Sequence, residues 1–216
     1  MQNDVVYWDE YYSRAPKEIS EASDFAKFAL EYMKSEKTII DLGCGNGRDS
    51  LYFFSYGLKV TAIDSSKSAI ANIESKHLPI FALCDDFVKT KVLDCIEYDY
   101  CYARWVIHAI NQTHQDEFIP KIYNMLKKGG LFFAEVRTVR DEKYGKGESL
   151  GKHEFLFDNH YRRFIEPDKL INQLQNTGFE VLYGEESDAF SVMADDTPTL
   201  LRLVVQKQSK HFREFD

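Results

Sequence analysis

The run Lys37 to Asp49, KTIIDLGCGNGRD, limits the fold more than any other stretch of this chain. Two apolar residues, Ile39 and Ile40, lead into a carboxylate, Asp41. Gly43, Gly45 and Gly47 then fall within five residues, before a polar segment able to open a helix. An apolar run that ends in such a cluster reads as a buried strand feeding a tight turn. Glycine there admits left-handed backbone and lets a ligand approach the main chain with no Cβ in the way. In open α/β sheets, ligands bind at turns of this kind, at the carboxyl ends of parallel strands.

The spacing narrows the ligand. A dinucleotide fingerprint needs G-x-G-x-x-G, but counting from Gly43 and Gly45 the third position is Arg48, and glycine falls one residue early. That argues against an NAD-dependent oxidoreductase. The pattern present, D-x-G-x-G-x-G, resembles the first motif of the class I S-adenosylmethionine-dependent methyltransferases. The resemblance implies an α/β fold with a Rossmann-like seven-stranded sheet in the order 3-2-1-4-5-7-6, the last strand antiparallel, and helices on both faces. It also implies S-adenosylmethionine as cofactor. Gly43, Cys44, Gly45, Asn46 and Gly47 would lie against its methionine and ribose part, with Asp41 orienting it.

At 216 residues the chain fits one such domain. We expect a single methyltransferase domain over 1–216, with an N-terminal aromatic lid and helix over 1–34 and an inserted substrate loop over 137–165. A net charge of −8 argues against a broad nucleic-acid footprint or an anionic membrane surface. Cys44, Cys84, Cys95 and Cys101 show no C-x-x-C spacing and read as reduced, small core residues. The N-terminal segment reads as neither a signal peptide nor a membrane span, so a cytoplasmic location is expected. A homodimer is compatible with the sequence.

Residues 5–14 carry Tyr7, Trp8, Tyr11, Tyr12 and Arg14. Simple packing is one reading. The other is a lid over the cofactor, since small methyltransferases resembling this chain often begin with a W-x-x-x-Y segment, here Trp8 and Tyr12. From Ser23, a capping residue, Phe25, Phe28, Ala29, Tyr32 and Met33 recur at helical spacing. Asn46 to Tyr56 reads as a helix ended by Gly57, and Leu58 to Asp64 as a strand with an acid at its carboxyl end. A carboxylate there can accept both ribose hydroxyls. Asp64 matches the acid of the family's second motif, and Ser65 follows it. The alternative, that Asp64 caps the next helix, competes with Ser65 and Ser66, which already offer that cap.

Pro79 opens a third strand that runs into Asp85, Asp86 and Phe87. The resemblance assigns one acid of this pair to the adenine amino group and the residues beyond it to covering the ring. The fourth strand, Tyr98 to Ala103, is followed by Arg104, Trp105, Val106, Ile107 and His108, where the family places residues facing the methyl group. The D/N-P-P-Y/F signature of enzymes that methylate base amino groups is absent. His108 is a candidate general base for a hydroxyl, with Arg104 beside it; the alternative is a histidine of a loop or short helix. Thr113 with Asp116 and Glu117 reads as a helix start, Pro120 as a kink or break, and Gly129 and Gly130 as its end. Leu131 to Val136 reads as the fifth strand, Pro167 to Asn176 as a helix stopped by Gly178, and Phe179 to Tyr183 and Leu200 to Val205 as two last strands.

The stretch Arg137 to Arg163 is too long for an ordinary connection and holds Gly145, Gly147 and Gly151. Arg137, Arg140, Tyr144, His153, His160, Arg162 and Arg163 make it the candidate acceptor site, because guanidinium groups suit phosphate or carboxylate. A solvated loop neutralised by Asp141, Glu142, Glu148, Glu154 and Asp158 is the alternative. No compact carboxylate and histidine cluster accompanies His153 and His160, so no metal is expected. The expected reaction is methyl transfer to a small, anionic acceptor, favoured as O-methylation of a phosphorylated or nucleotide-linked sugar in surface polysaccharide biosynthesis. The alternatives are S- or N-methylation of another small molecule, as in thiopurine or tellurite chemistry, and a non-catalytic S-adenosylmethionine-binding module.

Overall fold

The computed structural model describes residues 2–14, 21–157, 160–191 and 196–208. Parts of the expected lid and inserted loop, including Asp158, lie outside them. In chain order the elements are α1 (Gln2–Arg14), α2 (Asp24–Leu30), β1 (Thr38–Leu42), α3 (Arg48–Ser55), β2 (Lys59–Asp64), α4 (Lys67–Glu74), β3 (Phe81–Cys84), α5 (Val92–Cys95) and β4 (Tyr98–Arg104). A short 3-10 turn follows (Ile107–Ala109), then α6 (Gln112–Met125), β5 (Leu126–Arg137), β6 (Glu148–Gly151), β7 (Glu154–Phe157), β8 (His160–Arg163), α7 (Pro167–Thr177), β9 (Phe179–Ser187) and β10 (Leu200–Lys207).

Seven strands form one sheet in the order β3-β2-β1-β4-β5-β10-β9. Pairing is parallel from β3 through β5, and β10 inserts antiparallel between β5 and β9. This is the order that the family resemblance implies. Both faces are covered, so alternate residues of one strand enter different cores: Ile39 packs with α2 and α3, Ile40 with α6 and α7. The covering layers leave the carboxyl ends of β1, β2, β3 and β4 clustered along one edge of the sheet.

Several boundaries differ from the sequence reading. Asn111, not Thr113, caps α6, accepting from the His114 N–H at 2.9 Å. The helix runs on through Pro120 and stops at Met125. Gly129 and Gly130 therefore lie within β5, where the register against β4 jumps between Tyr98 and Tyr100. Leu126 is fully buried, and that anchor draws the chain into the sheet before the glycines are reached. Of the four cysteines, Cys101 is buried, but Cys84 and Cys95 are exposed, contrary to the core role expected for them. The inserted stretch holds a three-stranded antiparallel sheet, β6-β7-β8, in place of an irregular loop.

Asp49, which carried no signal beyond its place after the glycines, ties α2 and its own helix α3 to β4 of the sheet. It is buried and accepts from the Ser23 N–H at 2.8 Å, the Ser23 hydroxyl at 2.7 Å and the Tyr102 hydroxyl at 2.8 Å. The Ser23 hydroxyl in turn accepts from the Ala26 N–H at 3.0 Å, capping α2.

Candidate functional site

The turn after β1 has the backbone its glycines foreshadow. Gly45 takes φ +55°, and a Cβ built there would lie 2.3 Å from the Tyr12 oxygen. Gly47, at φ +85°, stands immediately before α3, where a Cβ would fall 2.5 Å from Ile73. Neither position admits a side chain without rearrangement. Asp41, at the end of β1, is buried and accepts from the Ser50 hydroxyl at 2.6 Å. Burial pushes its carboxyl up to about 8, opposed by that hydrogen bond and reinforced by Asp49 and Asp64.

A pH dependence follows. Between the ordinary carboxylate value and about 8 the folded protein holds a proton on Asp41 that the unfolded chain has lost. This contribution to stability is fully present below the unfolded value and is lost as pH rises through about 8, at about 1.4 kcal/mol per unit. Urea unfolding of the cofactor-free protein at a series of pH values should show this decline, and Asp41→Asn should remove most of it.

Asp64 ends β2 with one carboxylate oxygen accepting from the Gly45 N–H and the other from the Ser66 N–H, both at 2.9 Å. Burial raises its carboxyl above the ordinary range, against these N–H groups. Each oxygen uses one lone pair, which leaves one apiece for a vicinal diol. The acid therefore fits the ribose of S-adenosylmethionine. Ser66, not Ser65, caps α4, accepting from the Ala69 N–H at 3.1 Å. Asp86 is committed to the turn it opens, accepting from the Val88 N–H at 2.9 Å and lying 3.5 Å from the Lys89 ammonium. Asp85 accepts the Asp86 N–H at 2.8 Å and is the freer of the pair. Phe87 packs edge-on against Phe118, 5.5 Å away.

The aromatic N-terminal segment is helix α1, docked over this edge. Asp9 accepts from the Ser66 hydroxyl at 2.8 Å and the Ser68 N–H at 2.9 Å, fastening α1 to the start of α4. Trp8 stacks on Tyr12 and meets the edge of His160, while Tyr7 stacks on His160 at 4.8 Å. The helix therefore spans from the glycine turn to β8. Tyr7 belongs to the aromatic cluster that the sequence showed, whereas Asp9 did not stand out there; its signal was only proximity to Trp8.

Beyond β4 the chain turns sharply at Trp105, whose φ is +61°, an unfavourable value for a bulky residue. Glu135, fully buried in β5, holds it there. The Glu135 carbonyl accepts from the Trp105 N–H at 2.8 Å, and its carboxylate from Trp105 Nε1 at 3.0 Å, Arg104 Nε at 3.1 Å and Arg202 Nε at 2.7 Å. The Arg104 guanidinium lies 4.2 Å above the Trp105 ring. His108 is 6% exposed, and its Nδ1 accepts from the Arg137 N–H at 3.1 Å.

The seven acceptor candidates of the inserted stretch divide into separate groups. Arg137 is buried and paired with Asp141 and Asp196. Arg140 pairs with Glu186 at the surface. Arg163 is spent on bracing, donating to Gln112, Gln115 and the Ile107 carbonyl. Tyr144 and His153 bond each other at 2.8 Å, and Tyr144 packs on Phe155 and Phe164. His153 faces the groove between the small sheet, α6 and α7. His160, Arg162 and Arg163 lie on β8, the strand that touches α1, and of these Arg163 is the one turned to Gln112 and Gln115. Arg162 stands over Phe157, and its Nη1 is buried with no hydrogen-bond partner among the described residues.

Comparison with known proteins agrees with this geometry. A family model described as a methyltransferase domain matches residues 11–183. Among solved structures, a S-adenosylmethionine-dependent methyltransferase of Methanosarcina mazei superposes with a TM-score of 0.72 at 16% identity, covering 84% of this chain and 97% of that one. The 1,6-didemethyltoxoflavin-N1-methyltransferase of Burkholderia thailandensis superposes with a TM-score of 0.67 at 15% identity, covering 94% and 81%. A carboxy-S-adenosyl-L-methionine synthase of Campylobacter fetus is 27% identical over 112 residues, 49% of this chain and 46% of that protein. A ubiquinone biosynthesis O-methyltransferase of Glaesserella parasuis is 28% identical over 162 residues, 67% and 65%. The chain spans about half the length of the first of these curated relatives. The family match covers well over half of the residues, and the chain belongs to the methyltransferase-domain family.

Proposed function

We propose that the protein transfers a methyl group from S-adenosylmethionine to a small acceptor carrying an anionic group, in the reduced setting of the cytoplasm that its free cysteines suit. When bound, the cofactor supplies a methyl carbon activated by its sulfonium. Asp64 would hold the ribose, Asp85 the adenine amino group, and the turn from Gly43 to Gly47 the methionine portion. Tyr12, a neutral hydroxyl because burial and the charge of Asp64 push its ionisation well above the ordinary range, would close over them and keep water out. Alignment of acceptor and methyl then supplies most of the rate.

The observation that carries the acceptor class is Arg162. Burial depresses its guanidinium, the neighbouring Arg137 adds to the effect, and its Nη1 has no partner among the described residues. Leaving a charged donor desolvated and unpaired is unfavourable by about 1–3 kcal/mol, and an acceptor carboxylate or phosphate would offset that. The phosphorylated or nucleotide-linked sugars expected from the sequence carry such a group, as do anionic thiols and amines.

The test is Arg162→Ala assayed with matched anionic and neutral acceptors. KM for the anionic member should rise about 10- to 100-fold with kcat little changed, as for loss of one charge-assisted contact. Equal KM values for the two acceptors in the wild type would overturn the reading.

A further inference from the structure

We infer that His108 is a fixed hydrogen-bond donor to the acceptor, not the base that deprotonates it, so the acceptor's reacting atom must arrive already free of its proton. The inference rests on the acceptor reading above and narrows it. Its support is the Arg137 N–H, which points at Nδ1 from 3.1 Å. A main-chain N–H can only donate, so Nδ1 must be the bare nitrogen and the ring proton sits on Nε2. The hydrogen bond of His108 to the main chain uses Nδ1, which makes Nε2 the nitrogen left to meet a ligand.

The surroundings hold the ring in that form. The electrostatic influence of Arg137, Arg162, Arg163 and His160 reaches His108, and the Arg137 guanidinium is itself paired with Asp141 and Asp196. Burial first, then the Arg137 guanidinium, keep its ionisation well below the ordinary imidazole value. A second proton would enter a buried site beside guanidinium groups, while Nδ1 would have to give up its main-chain partner. Two acids of the site are also engaged: Glu135 by two arginines and Trp105, Asp64 by two main-chain N–H groups.

Without a base, the acceptor's lone pair forms the new bond to carbon while the electrons of the breaking carbon–sulfur bond remain on sulfur. Its proton has gone to solvent before binding. This selects, among anionic acceptors, a thiolate, a carboxylate, an acidic phenol or enol, or an unprotonated amine. The aliphatic hydroxyl of a sugar is disfavoured. The cationic wall that suppresses protonation of His108 also favours an ionised acceptor atom.

The direct test needs no acceptor. Protein labelled with nitrogen-15 histidine, with His108→Gln to assign the signal, should show His108 as the Nε2–H tautomer across roughly pH 6 to 8, the range in which an ordinary histidine titrates. An Nδ1–H tautomer, or a midpoint in that range, would overturn the inference. A kinetic test separates donor from base: His108→Gln preserves an amide donor near Nε2 but cannot take a proton. It should stay within about 10-fold of wild type and His108→Ala should fall further, whereas loss of a general base costs about 100- to 10,000-fold in both. Equal loss in both variants, with cofactor binding intact, would also overturn the donor role. Failure of every anionic acceptor in the wild type would count against the acceptor reading and leave the tautomer result standing.

Discussion

Asp64→Ala should lose at least about 100-fold in affinity for S-adenosylmethionine, because two hydrogen bonds to a carboxylate, each worth about 1.5–3 kcal/mol, disappear together. The variant also frees the Gly45 and Ser66 N–H groups, which Asp64 holds at 2.9 Å, and so loosens the turn that shapes the methionine end of the cleft. Calorimetric titration checks this, with far-ultraviolet circular dichroism to show that the variant is folded. An affinity within a few fold of wild type would mean that the ribose is held elsewhere. Asp85→Ala should do less, since it removes a single contact to one end of the ligand.

The second large effect falls on stability. Glu135 is fully buried and neutralises Arg104 and Arg202 at once. Removing one member of a buried ion pair costs about 3–5 kcal/mol, because the partner charge stays behind uncompensated. For a chain of this length Glu135→Ala should therefore lower the melting temperature by roughly 10 °C. It should also release Trp105 from its left-handed backbone, since Nε1 loses its acceptor, and so alter the wall next to His108. Glu135→Gln keeps one acceptor oxygen and should lie between the two. A melting temperature unchanged in Glu135→Ala would show that water or a rearranged carboxylate replaces it.

The frame of the site was open to sequence reasoning because it rests on local rules. Glycines at +55° and +85°, a strand ending in Asp64 and a serine that caps α2 all act within a few residues of themselves. Strand order came from resemblance, as the pairing of β10 between β5 and β9 leaves no periodic trace. The acceptor side was harder to read because composition does not reveal pairing. Arg137, Arg140, Arg162 and Arg163 look alike in the sequence, yet only the fold assigns Asp141 and Asp196 to the first, Glu186 to the second and two glutamines to the last. Glu135 and Asp49 were hidden for the same reason: their partners lie 31, 67 and 53 positions away. His108 was found by type and position, but its tautomer depends on a main-chain N–H 29 residues later.

The central claim is methyl transfer, and the most direct measurement is the fate of a labelled methyl group. Wild-type protein incubated with methyl-labelled S-adenosylmethionine and a panel of small thiols, amines, phenols and sugars, each with and without a carboxylate or phosphate, should move the label to anionic members. Neutral counterparts should be slower, and Arg162→Ala should narrow the difference. Tight cofactor binding with the label retained on the cofactor across the whole panel would contradict the account and favour a binding module that works without turnover.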